Sequence, residues 1–407
     1  MSFLRFVAEN RAFLLAGFLL TFTSSYGQTF IISIFAGEIM EAFSLSHGQW
    51  GGIYTLGTAA SAIVMVWAGG LTDLFRVRVL APITSVLLAL SCLAMAAVTG
   101  PWMLVGVIFA LRFTGQGMIS HIAIVSMARW FVATRGRALS IASMGFAFGQ
   151  AILPVAFVAL MMLMDWRWVW VVAAGLVLAS LPFVAVLLRL ERTPQSIAAD
   201  VQAAGMESRH WTRSEVLRHP LFWMMVPVLL GPPAWSTALF FQQVHLTEVK
   251  GWTLAEFVSL MPLFTVTVIA ATFISGWAID RFGSAWVTVP YMIPFATGFI
   301  VLGATHNLGG AAVGMVLVAV GQGLQSTLPG AFWAEFFGTR YVGSIKAAAA
   351  AIMVFGSAIG PGVTGVLIDW NIAFETQLYL MAAYFAASGL LAAVGVMRAA
   401  TTLPATA

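Results

Sequence analysis

Apolar residues run through this 407-residue chain in long, nearly unbroken stretches. Twelve follow one another, at about 12–40, 50–72, 79–98, 101–128, 138–163, 166–189, 221–246, 254–279, 285–305, 309–335, 345–369 and 374–398. A helix needs about 20 apolar residues to cross the hydrocarbon core, so each stretch is long enough to span a bilayer. The connections are short except for a polar stretch at about 190–220. The pattern predicts an all-α membrane protein of twelve transmembrane helices. No signal-peptide cleavage pattern precedes the first run, so that run is expected to remain as a span.

Composition narrows the class. Only 8% of residues are charged and 61% are hydrophobic, against about 25% charged in a soluble domain. That excludes a soluble enzyme, a nucleic-acid binder and a disordered chain. Thirteen per cent aromatic residues, with 15 Trp, suit two interfacial belts. Cys92 is the single cysteine, which excludes a disulfide framework and a cysteine metal site. No cofactor is expected.

Placing each charge tests the topology. With both termini cytoplasmic, 16 of the 19 basic residues fall in cytoplasmic segments and two, Arg167 and Lys250, in outer loops. This is the asymmetry that orients membrane proteins, and it predicts a multi-pass protein of the cytoplasmic membrane. All 15 acidic residues fall near span ends or in loops, with Glu38 and Glu335 nearest the borders. One base is left over: Arg112, in the middle of the fourth span.

The chain also repeats itself. Gly69-Gly-Leu-Thr-Asp73 returns 207 residues later as Gly276-Trp-Ala-Ile-Asp280, and Phe148-Gly149 with Pro154 returns as Phe355-Gly356 with Pro361 at the same offset. Ser46 and Thr253, expected N-caps, are 207 apart, and Gly115-Gln-Gly117 returns at Gly321-Gln-Gly323 after 206. The expected organisation is two six-span halves, 1–190 and 220–407, joined by a cytoplasmic linker at 191–219. Such repeats, with a site at mid-membrane between the halves, build alternating-access transporters.

On these motifs the chain resembles the major facilitator superfamily. The superfamily's loop signature, Gly-x-x-x-Asp-Arg-x-Gly, stands after span 8 as Gly276, Asp280, Arg281 and Gly283. After span 2 it survives as Gly69 and Asp73, with Arg76 where the glycine would be. The resemblance makes these residues a cytoplasmic gate, in which a carboxylate and arginines bond in one access state and release in the other. The alternative is a surface ion pair of little energetic weight. Arg112-Phe-Thr-Gly115-Gln-Gly117, Ala128-Arg-Trp-Phe-Val-Ala-Thr-Arg-Gly-Arg137 and Arg192-Thr-Pro-Gln195 resemble the monocarboxylate transporter and oxalate–formate exchanger branch. That branch carries a base in span 8, yet 254–279 holds none, and Lys346 is the only base of span 11. Gly145, Gly149, Gly356 and Gly360 read as close helix packing.

A buried guanidinium without a resident carboxylate suits a ligand that brings its own anion. Arg112 is therefore expected to contact substrate, to couple proton or conformational steps, or to bond the carbonyls of a bent neighbouring helix. Gln116 shares its face. Ser24 and Gln28 in span 1, Trp235 and Gln242 in span 7, and Gln322 and Gln325 in span 10 complete the expected substrate site, since the resemblance puts spans 1, 4, 7 and 10 around the cavity. Each of these is also a candidate for plain interhelical hydrogen bonding. A break in span 7 is expected at Pro232-Pro233. His245 and His121 are the candidate proton carriers, His121 on the opposite side of span 4 from Arg112. The expected function is a secondary active transporter of a small organic anion, such as a monocarboxylate, with a proton or a counter-anion, working as a monomer in the lipid bilayer. The rival is an exporter of amphipathic or drug-like compounds through a Met-, Phe- and Trp-rich cavity. No catalytic constellation points to an enzyme, and no nucleic-acid partner is expected.

Overall fold

A computed structural model describes residues 3–69, 71–131, 135–190, 204–338 and 341–403. All regular structure among them is helical. Eleven helices are long and apolar enough to cross a membrane, and a twelfth span forms from Arg281–Thr288 and Ile293–Ala304, bent by 50°. The twelve coincide with the twelve apolar runs of the sequence. The chain divides into two compact units, Met1–Ala199 and Asp200–Ala407.

The first unit opens with helix Phe3–Ser24, which breaks at Ser25–Gly27 and resumes at Thr29. Gln28 is the extended residue at the break, with φ −89° and ψ 155°. The chain kinks again at Phe35 (φ −91°, ψ 6°) and ends helix Ala36–Phe43 on Ser44 in the left-handed region (φ 51°). Glu38 and Glu41 are exposed on that last piece.

The second unit repeats this path. Helix Pro220–Phe241 kinks at Gln242 (φ −91°, ψ 18°), continues as Gln243–Lys250 and ends on Gly251 at φ 69°. Phe35 and Gln242, like Ser44 and Gly251, are 207 residues apart, the spacing of the sequence repeat. Reciprocal capping boxes follow at the same spacing, Ser46 with Gln49 and Thr253 with Glu256. Each satisfies two otherwise orphaned backbone N–H groups.

Span 7 does not break at Pro232-Pro233. Its helix passes through Pro227, Pro232 and Pro233 and yields only at Gln242. Prolines are tolerated inside membrane helices, which neighbouring helices support. Here Tyr384 donates to Pro227 O over 2.9 Å, and Gly231 makes room for its ring.

The two bases expected in outer loops, Arg167 and Lys250, have structural partners. Arg167 Nη1 donates to the carbonyls of Ala96 (2.9 Å) and Val98 (2.7 Å) at the end of span 3. Lys250 Nζ donates to Gly303 O at the end of span 9 (2.8 Å) and pairs with Glu375 at 3.4 Å, its side chain fully buried. Spans 3 and 9 are equivalent in the repeat, and in both a cation occupies the last orphan carbonyls of the helix. Glu375→Gln removes the carboxylate charge that pairs with the buried ammonium. It is expected to lower stability by about 1–2 kcal/mol, discounted because Glu375 is partly exposed. The thermal midpoint of the purified protein checks this.

Part of the polar stretch expected as linker, 204–219, is docked on the second unit. Trp211 N–H donates to Phe337 O and Glu207 N–H to Thr402 O. Arg209 lies 3.7 Å over the Trp211 ring. A capping box of Thr212 and Glu215 starts helix Arg213–Arg218, and those bonds hold the Glu215 carboxyl below its ordinary value. His219 then caps span 7 by accepting the N–H of Leu221 at Nδ1. Burial pushes the His219 pKa below its ordinary 6.5, with Glu207 opposing the shift and Arg209 adding to it. A protonated ring cannot accept that N–H. The contribution of His219 is therefore complete above pH 6.5 and is lost as pH falls through its lowered pKa. The protection of the 204–219 amides, taken relative to their intrinsic exchange rates at each pH, should fall on acidification in the wild type and lose that pH dependence in His219→Gln.

Candidate functional site

The break in span 1 faces span 4. Span 4 starts as helix Pro101–Leu111, loosens into π-helical turns over Arg112–Ile119 and recovers as Ser120–Trp130. A π turn accommodates one extra residue in a helix, and such turns concentrate at functional sites. The sequence repeat shifts from 207 to 206 residues at Gly115-Gln-Gly117 and is back at 207 by Phe148, so the two halves differ in register locally at this segment. Two glycines let the segments touch. A Cβ on Gly27 would lie 2.1 Å from Leu111 O, and one on Gly115 would lie 2.7 Å from Gly27 Cα.

Arg112 sits in this contact, 1% exposed. Its Nη1 donates to Gly27 O at 3.2 Å and to Thr29 Oγ1 at 3.3 Å. Thr29 is bonded to the Tyr54 hydroxyl at 2.5 Å, and the guanidinium lies 5.5 Å from the centre of the Tyr54 ring. Nε is buried with no partner, and no carboxylate pairs with Arg112 among the described residues. The partners are thus one carbonyl, one hydroxyl and one ring face. The carbonyl is available because span 1 breaks there. The expectation that Arg112 bonds a bent neighbouring helix describes this contact.

The other candidates are distributed between the units. Gln28 is buried at the break, and Gln116 is half-buried on the π segment. Ser24 is fully buried and donates to Thr21 O at 2.7 Å. Thr21 donates to Ala142 O of span 5. His121 meets Gly69 O at the end of span 2 at 3.2 Å, so Arg112 and His121 address different spans. In the second unit Gln242 donates to Thr364 Oγ1 at 3.2 Å. Trp235 stands edge-on to Tyr384 with its Nε1 unpartnered. Gln322 and Gln325 each hold a buried Oε1 without a partner. His245 is half-buried, 3.9 Å from Glu248 and edge-on to Phe374.

The side chains of Asp73 and Asp280 lie outside the described residues, so the carboxylates of the expected gate do too. Arg76 and Arg281 are exposed. Gly283 takes φ 80°, and Ser284 N–H behind it donates to Glu335 Oε2 at 2.8 Å. Arg76, the counterpart of Gly283, is extended at φ −68°, a conformation that needs no glycine.

Sequence reasoning missed Gly27, Thr29 and Tyr54. Tyr54 and Thr29 are polar tips inside apolar runs, and only the break in span 1 brings them to Arg112.

Duplicated six-span units, a broken first span and a buried arginine define a polytopic membrane transporter. The sequence matches the profile of the Major Facilitator Superfamily over residues 17–361 and again over 237–406. The chain belongs to that family of transporters. No curated protein matches it in sequence. Its fold is similar to the crystal structure of a bacterial homolog of the human lysosomal transporter Spinster in an inward-facing, unoccupied conformation. The TM-score is 0.74 with 15% identity, over 98% of this chain and 99% of that one. An inward-facing, occupied structure of a bacterial Spinster homolog gives a TM-score of 0.67 and 17% identity, over 96% of each chain.

Proposed function

We propose that the protein is a secondary active transporter of small organic anions, monocarboxylates first among them, moved by alternating access with a proton or in exchange for another anion. The observation that carries this reading is Arg112. Burying a charge costs several kcal/mol unless it is paired and hydrogen-bonded, and this one has an unpartnered Nε and no carboxylate among its partners. An arriving carboxylate supplies the missing charge in the planar geometry that a guanidinium favours. At 1% exposure the site is closed, and substrate reaches it when the spans around the break part.

Gln28, beside the break in span 1, and Gln116, four residues after Arg112, are the first candidates to hydrogen-bond the anion. Ser24, Trp235, Gln242, Gln322 and Gln325 are the remaining candidates for substrate contact, and His245 and His121 for carrying the proton. Asp73, Arg76, Asp280 and Arg281, with Gly69, Gly276 and Gly283, form the proposed cytoplasmic gate. The 16-to-2 distribution of bases supports cytoplasmic termini.

The rival, export of amphipathic compounds, has one observation in its favour: an apolar cleft in the second unit lined by Met225, Leu229, Leu328, Phe332 and Met353. A ligand that binds the folded state raises its apparent stability, so a thermal screen of purified protein separates the two. Stabilisation by carboxylates supports the organic-anion reading. Stabilisation by lipophilic cations and not by carboxylates overturns it.

A further inference from the structure

Arg112 is held by groups from two other spans. Gly27 O and Thr29 Oγ1 lie on either side of the extended residue Gln28 in span 1, and the Tyr54 ring belongs to span 2. The break at Gln28 thus turns a backbone carbonyl and a hydroxyl toward the same nitrogen, Nη1. The Tyr54 hydroxyl bonds that same Thr29 oxygen, and Tyr54 is fully buried. Carbonyl, hydroxyl and ring face each present electron density to the cation, and none carries a full charge. They offset part of the cost of burying it and leave the rest to a substrate carboxylate.

The second unit has the same positions without the arginine. In the repeat register Ser236 stands where Thr29 does, Met261 where Tyr54 does, and Val318 or Ala319 where Arg112 does. Ser236 Oγ is buried there, with no partner among the described residues. The hydroxyl of the first unit is engaged because a guanidinium and a tyrosine are there to engage it.

A carboxylate that pairs with Arg112 competes for Nη1 with Gly27 O and Thr29 Oγ1. Their bonds, 3.2 and 3.3 Å, are long for N–H···O contacts, so an anion displaces them readily. A carrier that returns without substrate has to close over the same buried charge. In the closed arrangement, with Arg112 1% exposed, these are the groups that reach it.

We propose that Thr29 and Tyr54 are positioning residues that form, with Gly27 O, an internal counter-ligand for Arg112: they hold the guanidinium whenever no anion does, and so let the carrier return unloaded. The inference rests on the organic-anion reading and deepens it, because it makes transport net rather than obligatory exchange. A counter-ligand built of dipoles neutralises less than a carboxylate does. The loaded carrier should therefore cross faster than the unloaded one, and substrate on the far side should accelerate uptake.

The test uses the full-length protein in proteoliposomes, with labelled lactate as the probe. Net uptake into vesicles without internal lactate, under an inward proton gradient, is compared with counterflow into lactate-loaded vesicles, each above protein-free vesicles. Both fluxes scale with the amount of folded protein, so their ratio does not. The wild type should show both, counterflow the faster. Thr29→Val keeps the shape of the side chain and removes the hydroxyl. The ratio of net uptake to counterflow should then fall roughly tenfold, the scale of one hydrogen bond to a charged group. With its internal competitor gone, lactate should bind this variant more tightly, read as ligand-dependent shifts of the thermal midpoint in nanodiscs. Tyr54→Phe keeps the ring and should move both quantities the same way by less. Thr29→Ser retains the hydroxyl and should rescue both. Weaker lactate binding by Thr29→Val would make Thr29 a substrate ligand, and an unchanged flux ratio would make it a structural contact; either overturns the counter-ligand. Counterflow without net uptake in the wild type also overturns it, and leaves organic-anion exchange standing. If the wild type carries neither lactate nor any other carboxylate in either assay, the organic-anion reading fails and this inference with it.

Discussion

Arg112→Gln abolishes carboxylate uptake into proteoliposomes without unfolding the protein. The two halves of that expectation come from the same geometry. Glutamine is two atoms shorter than arginine, so the bond from Nη1 to Gly27 O is given up. It removes a guanidinium that is 1% exposed and has one nitrogen unpartnered. Replacing a poorly compensated buried charge by a neutral group is often neutral or stabilising. The thermal midpoint should therefore hold or rise, while initial uptake falls roughly a hundredfold or more, the cost of a lost buried charge pair with the substrate. Arg112→Lys should not rescue transport, because an ammonium lacks the planar fork that engages a carboxylate bidentately. A purely structural pin behaves oppositely: stability falls, and residual uptake follows the amount of folded protein.

Gly27→Ala should damage the fold itself. Its Cβ would lie 2.1 Å from Leu111 O and 2.8 Å from Gly115 Cα. Both are backbone atoms, so no side-chain rotation relieves the clash and spans 1 and 4 must separate. Forcing extra volume into a packed interior costs about 1–3 kcal/mol even where side chains can adjust, and the cost here should exceed that range. A large fall in the thermal midpoint and loss of a monodisperse peak are expected, with the same result for Gly115→Ala. Gly52→Ala and Gly106→Ala are the controls. A Cβ meets nothing within 4 Å at either position, and alanine favours a helix over glycine, so both variants should keep the wild-type midpoint or exceed it.

The fold was legible because its two strongest signals are physical and independent. Apolar run length marked twelve spans, and a 207-residue repeat marked two halves that share even a kink, at Phe35 and Gln242. The site was legible only in part. Arg112 stood out because every other charge had a topological explanation. Its partners did not, since periodicity treats each span as a straight helix. On a straight helix Ser24 and Gln28 share one face. In the folded chain the helix ends between them, Ser24 turns to Thr21, and Gly27 offers a carbonyl to Arg112. The break at Gln28 and the π turns opposite it belong to the first unit only, so the repeat gave no second copy from which to read them. Proline misled in the other direction: Pro232-Pro233 looks like a helix breaker, but the helix runs on through it to Phe241, packed against Tyr384, whose hydroxyl donates to Pro227 O. Lys250 looked like a loop cation and is a buried staple, because its partners Gly303 and Glu375 lie on spans distant in sequence.

The most direct test of the central claim, that this transporter carries organic anions through Arg112, is counterflow in proteoliposomes. Vesicles holding wild-type protein and loaded with unlabelled lactate should transiently accumulate external labelled lactate above equilibrium, and Arg112→Gln vesicles should not. Accumulation by both proteins alike, or none by the wild type in vesicles that carry a lipophilic cation, would contradict it.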